Sequence, residues 1–140
     1  MASRDLSTDS LECNYVGENS ESESRDALAK ADCTDREKEH FFCLGLDGAH
    51  RTKYLELVTL GLVNQTQVHP REVFSHSLEA RCSAVIVCHN HPSGQLEPSK
   101  DDVDVTSRLR AAGEVLGVPV LDHVILTDDG FYSFAEQGIL

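Results

Sequence analysis

A mixed α+β domain, with helices flanking a mixed β-sheet, is the fold class this sequence predicts. Three observations predict it. Apolar runs at residues 41–46, 54–62, 83–88, 118–126 and 131–134 have the length and composition of strands. Stretches beginning at residues 70 and 100 instead carry apolar residues at helical spacing. Turn signals join the outer strands in pairs, whereas the two helical stretches separate the inner ones. The order β-β-α-β-α-β-β therefore mixes hairpins with helical crossovers.

The elements follow in order. Residues 1–17 are expected to be a weakly ordered acidic tail, with a short strand conceivable at residues 11–16. Residues 18–140 are expected to form the domain. A Ser/Glu-rich stretch at 19–23 can cap a short helix whose thin apolar stripe is Ala27, Leu28 and Ala31. The clearest part begins near Glu39. Residues 41–46 read as a buried strand, Asp47-Gly48 as a turn, and residues 54–62 as an antiparallel partner with Leu55, Val58, Leu60 and Leu62 as core candidates. Residues 63–68 are polar. Pro70 opens a helix where proline is tolerated, and Val73, Phe74 and Leu78 form its apolar face. Residues 83–88 are the central strand. A second helix from Lys100 to Leu116 places Val105, Leu109, Ala112 and Leu116 on one side, and Gly117 marks its end. A strand at 118–126, a turn at Asp128-Asp129-Gly130 and a return strand at 131–134 complete the chain.

Composition narrows the function classes. A chain of 140 residues is long enough for one well-cored domain. Its net charge of −12 argues against the basic face that direct nucleic-acid binding needs, and no Lys/Arg cluster appears. The charge is not confined to a tail: residues 1–39 hold 11 acidic and 5 basic residues, half of the excess. Five cysteines without C-x-x-C spacing argue against a cysteine zinc site. Cys43 and Cys88 fall in buried strands, where a thiol acts as a small apolar group. There is no signal-peptide core or membrane-length apolar run, so a reduced, cytoplasmic setting is the expectation.

The chemistry concentrates after the central strand. His89 and His91 are one residue apart, so alternation on extended chain sends both side chains to one side and Cys88 to the other. A loop containing Pro92, Ser93 and Gly94 then returns Asp102 toward them at a helix start. Two imidazoles and one carboxylate, with a fourth position left for water, have the composition of a catalytic zinc site. Zinc lowers the pKa of a coordinated water to about 7, so that it can attack an amide carbonyl. A general base must also be present, and the stretch itself provides none aimed at the site.

His89-x-His91, seven residues, Ser99, two residues and Asp102 match the JAMM motif of MPN/JAB-domain metalloproteases. Val68-His69-Pro70-Arg71-Glu72-Val73-Phe74, His89-Asn90-His91-Pro92-Ser93-Gly94, Pro98-Ser99 and Leu121-Asp122-His123-Val124-Ile125 narrow the likeness. Over residues 37–140 the sequence resembles bacterial RadC-type JAB proteins. The resemblance implies a cytidine-deaminase-like MPN/JAB fold and a Zn²⁺ site of His89, His91 and Asp102. It further implies Glu39 as general base and Ser99 as a stabiliser of the oxyanion. A protein or peptide would be the substrate. Two departures stand out. No helix-hairpin-helix segment precedes the domain in this sequence, so the DNA-binding module of longer RadC-type proteins is not expected. Asn90 stands between the histidines where peptidase members of the wider family carry Ser or Thr.

Plainer accounts compete at each position. Ser99-x-x-Asp102 before an apolar-periodic run is also a capping box, which needs no histidines. Glu39 can be a solvated member of the charged run at 35–39. Glu72 is a rival base, but a first-turn Glu ordinarily serves the helix dipole. His123, beside Asp122, fits an outer-shell or packing role, and His40, His50 and His76 read as surface residues. Two functions follow. One is a zinc-dependent hydrolase of amide or isopeptide bonds. The other is a non-catalytic metal-bound module associated with DNA repair or mobile elements.

Overall fold

In the computed structural model, residues 22, 24–26, 37–60 and 68–140 are described. The expected tail, the strand at 11–16, the stripe of Ala27, Leu28 and Ala31, and Leu62 lie outside them. Besides helical residues at 22 and 24–26, the described residues form five strands and two helices: β1 His40–Leu46, β2 Thr52–Leu60, α1 Pro70–Glu79, β3 Ala84–Asn90, α2 Lys100–Leu116, β4 Val120–Leu126 and β5 Phe131–Ser133. The strands form one sheet in the order β2-β1-β3-β4-β5. The β1/β2, β1/β3 and β4/β5 pairs are antiparallel, and β3/β4 is parallel. The mixed α+β expectation is therefore met, with α2 as the crossover that a parallel pair requires.

Burial explains why β1 and β3 hold the centre. Every residue of both strands is buried, so each covers apolar neighbours on both faces. Phe41, Cys43, Val85 and Val87 face α1 and α2, meeting Val73, Phe74, Val105 and Leu109. Phe42, Leu44, Ile86 and Cys88 point to the opposite face with Val124 and Leu126. Cys88 thus turns away from the histidines, as alternation requires. Cys43 is sealed so completely that burial pushes its thiol up to about 12. Leu55 and Val58 pack at the margins of the core.

Two residues of the expected apolar helix faces are on the surface. Leu78 is 46% exposed and Leu116 43% exposed. The buried stripe of α1 is Val73, Phe74 and Ser77, and Leu78 lies about 90° around the helix from its centre. Ser77 is tolerated there because its hydroxyl donates to the Phe74 carbonyl at 2.8 Å. On α2 the buried line runs Asp102, Val105, Thr106, Leu109 and Gly113, leaving Leu116 beyond the contact. Gly113 is where the chain presses closest. A Cβ there would lie 2.6 Å from the Val118 carbonyl oxygen and 3.3 Å from the Phe74 ring. Gly113→Ala should therefore destabilise the fold by about 1–3 kcal/mol despite alanine's better helix propensity. Urea denaturation would check this, because propensity alone predicts the opposite sign.

His40 is also corrected: it is buried, not a surface residue. It begins β1, and its ring stacks on Phe42 with centroids 6.0 Å apart. Sheet register then sets the site. Phe41 pairs with His89, and His89 pairs with Ile125. The start of β1, the end of β3 and the end of β4 consequently meet at one edge.

Candidate metal centre

β3 runs through His89 to Asn90, and His91 is the next residue. Their side chains emerge on one side as expected, with the two Nε2 atoms 2.9 Å apart. Asp102 comes from the first turn of α2. Its Oδ1 lies 3.3 Å from His89 Nε2, and its Oδ2 lies 3.1 Å from His91 Nε2. One donor atom from each residue falls within 4.8 Å of the other two, and no other such group of three occurs among the described residues.

The local fold that holds Asp102 is the capping box. Ser99 Oγ accepts from the Asp102 amide at 3.1 Å, and Asp102 Oδ2 accepts from the Ser99 amide at 2.8 Å. The cap and the donor cluster are realised together because the carboxylate divides its work. Oδ2 serves the cap, whereas Oδ1 is buried and has no hydrogen-bond partner among the described residues. A buried carboxylate oxygen left unpaired is costly, and a cation held there would satisfy it. The remaining imidazole nitrogens are occupied elsewhere. His91 Nδ1 lies 2.7 Å from the Gln95 carbonyl, and His89 Nδ1 lies 2.8 Å from His123 Nε2. Each ring therefore presents Nε2 to the shared space, and the donor set suits Zn²⁺.

The electrostatics agree with a charged carboxylate among imidazoles. Burial would raise the Asp102 carboxyl, but the neighbouring His89 and His91 imidazoles, with the Ser99 amide, hold it well below the usual carboxylate range. Burial would lower His91, yet Asp102, the Gln95 carbonyl and the charge of Glu39 together raise it. Full burial drives His123 well below the ordinary imidazole value, and the neighbouring His89 adds to this.

Glu39 and Ser99 are brought to the same place. Both line a cavity of about 360 Å³ together with His91, Ser93, Gln95, Glu97 and Asp102. Glu72 is not among the lining residues and lies exposed on α1, where it serves the first helical turn. His69 caps that helix by accepting from the Arg71 amide. His76 stacks on Tyr54 and pairs with Glu56.

Sequence reasoning treated Asn90 as a departure and missed what it does. Its Oδ1 accepts from the His40 amide at 2.6 Å, and its Nδ2 donates to the Lys38 carbonyl at 3.0 Å. One side chain thus grips the backbone on both sides of Glu39. The available signal was an amide, with a donor and an acceptor, between two histidines that face the other way.

Residues 19–139 match the family model of the RadC-like JAB domain. The chain belongs to that family. Among curated relatives, a UPF0758 protein of Geotalea uraniireducens is 45% identical over 106 residues, which cover 76% of this chain and 46% of the relative. A UPF0758 protein of Trichlorobacter lovleyi is 48% identical over the same number of residues and the same shares. The RadC-family chain thus spans just under half the length of these relatives. The name UPF0758 states no activity. No helix among the described residues is long and apolar enough to cross a membrane.

Proposed function

We propose that this RadC-family domain is a zinc-dependent hydrolase of amide or isopeptide bonds in a protein or peptide substrate. The observation that carries the reading is the unpaired, buried Asp102 Oδ1 facing the Nε2 atoms of His89 and His91. These three residues would hold the ion, and zinc supplies Lewis acidity toward water and carbonyl oxygen when bound. The chain's own groups do the rest. Glu39, in the cavity beside His91, takes a proton from the attacking water and returns it to the leaving amine. Asn90 holds Glu39 in place through the two flanking backbone groups. The Ser99 oxygen accepts from the helix cap, so its hydroxyl proton is left to donate to the oxyanion. His91 also borders a second cavity of about 130 Å³ with Leu126 and Thr127, which offers a place for substrate on the far side of the cleaved bond.

Glu39→Gln and Asn90→Ala together test the reading. Both chains should bind zinc at one per protein, and Glu39→Gln should lose about 100-fold or more in turnover on a peptide or isopeptide library. Asn90→Ala should lower kcat more than it raises KM, because only the base is displaced. Zinc binding without any turnover in the unaltered chain, unchanged by Glu39→Gln, would favour the non-catalytic metal-bound module instead.

A further inference from the structure

His89 binds zinc through Nε2 only if its one ring proton sits on Nδ1. A neutral imidazole has two tautomers, and the partner of the other nitrogen selects between them. In this chain that partner is a second histidine, and a hydrogen-bond sequence fixes its state too.

The sequence starts on a group that can only accept. The Asp102 carbonyl oxygen receives the Thr106 hydroxyl proton at 2.7 Å. A hydroxyl has one proton, so Thr106 Oγ1 can only accept from His123 Nδ1, which lies 2.6 Å away. His123 is fully buried, with its face stacked on Phe134 at 4.7 Å and Phe41 edge-on at 5.7 Å. In that apolar sleeve the ring is neutral, so its Nε2 has a lone pair. The 2.8 Å contact to His89 is therefore a bond donated by His89 Nδ1. This leaves the His89 Nε2 lone pair directed at Asp102 Oδ1 and His91 Nε2. The sequence begins on the backbone of one metal-site residue and ends on the ring of another.

We propose that Thr106 and His123 are positioning residues that lock His89 in the Nδ1–H tautomer and so make it competent to bind metal. This rests on the His89/His91/Asp102 site of the proposed function. It adds a second duty for Asp102, whose carbonyl sets the direction of the whole sequence. Outer-shell partners of metal-bound histidines are usually carboxylates, carbonyls or water. Here a neutral imidazole takes that place, and it can reverse its donor and acceptor ends. The direction consequently depends on Thr106. Without its hydroxyl, His123 can carry its proton on Nε2, donate to His89 Nδ1 and force the His89 proton onto Nε2, where it blocks the metal.

Ring-nitrogen NMR of the full chain, labelled at histidine and stripped of metal at mildly alkaline pH, reads the tautomers directly. The unaltered chain should show His89 protonated on Nδ1 and bare on Nε2, with His123 the same. Thr106→Val should move the His89 proton to Nε2, and Thr106→Ser should restore it. Zinc competition against a chelator should show about 10–100-fold weaker binding in Thr106→Val and near-normal binding in Thr106→Ser. An Nε2–H tautomer for His89 in the unaltered chain would overturn the proposal, and that measurement needs no variant to fold. An unchanged tautomer in folded Thr106→Val would overturn it equally. If the predicted tautomers appear but the unaltered chain binds no zinc, the proposed function fails while the tautomer lock stands.

Discussion

Zinc affinity should fall by more than about 100-fold when Asp102 is replaced by asparagine. Loss of an outer-shell partner already costs 10–100-fold, and Asp102 is proposed as one of three direct ligands. The substitution is informative because most of the cap survives it. An asparagine oxygen can still accept from the Ser99 amide, the bond that Oδ2 makes at 2.8 Å. What disappears is the negative charge and the second carboxylate oxygen. Both matter here: the two histidines hold the carboxyl ionised, and Oδ1 is the carboxylate oxygen of Asp102 that finds no hydrogen-bond partner among the described residues. Asp102→Asn should therefore keep helix α2 and lose the metal. If Asp102 were only a capping residue, zinc binding would be unchanged. Titration against a competing chelator separates the two outcomes.

The second large effect is on stability. Asp122 is fully buried in β4. Its Oδ1 accepts from the His123 and Ala135 amides at 2.8 and 3.0 Å, and its Oδ2 accepts from the Ser133 hydroxyl at 2.6 Å. One carboxylate thus fastens β4 to β5 and to the turn that follows. Asp122→Ala strands two backbone donors and a hydroxyl out of water, and each such group costs about 1–3 kcal/mol. A loss of at least about 3 kcal/mol is expected, seen as a fall of roughly 10 °C in Tm. Asp122→Asn keeps an acceptor for the amides and should cost only about 1 kcal/mol. Equal losses in the two variants would contradict this division of labour. His123 follows Asp122 directly, so the same carboxylate also steadies the ring that meets His89.

How far the sequence could be read depended on how local the signal was. Pro70 at the first turn of α1, Gly117 at the left-handed end of α2 and the apolar runs of β1 and β3 are all short-range features, and each element appears where they placed it. The donors were legible for the same reason. His89 and His91 are related by strand alternation, and Asp102 is tied to Ser99 by a cap three residues long. Contacts between distant segments were not legible. His89 meets His123 across 34 residues, and Asn90 meets His40 and Lys38 across 50 and 52. They depend on the register that sets Phe41 against His89 and His89 against Ile125, which no local pattern encodes. Leu78 and Leu116 show a related limit. Apolar spacing identified a helical face, but the neighbouring element determines which part of that face is covered. On α2 that selection replaced Leu116 with Gly113, because the chain at Val118 comes too close for a side chain.

A crystal of the full chain grown with zinc, measured across the zinc absorption edge, tests the central claim most directly. One anomalous peak per chain is expected, about 2.0–2.2 Å from His89 Nε2, His91 Nε2 and an Asp102 carboxylate oxygen. The Glu39 carboxylate should stand within about 2.6–3.2 Å of the fourth ligand. Zinc absent from these three residues, or seated elsewhere with Asp102 Oδ1 still unpaired, would contradict the account.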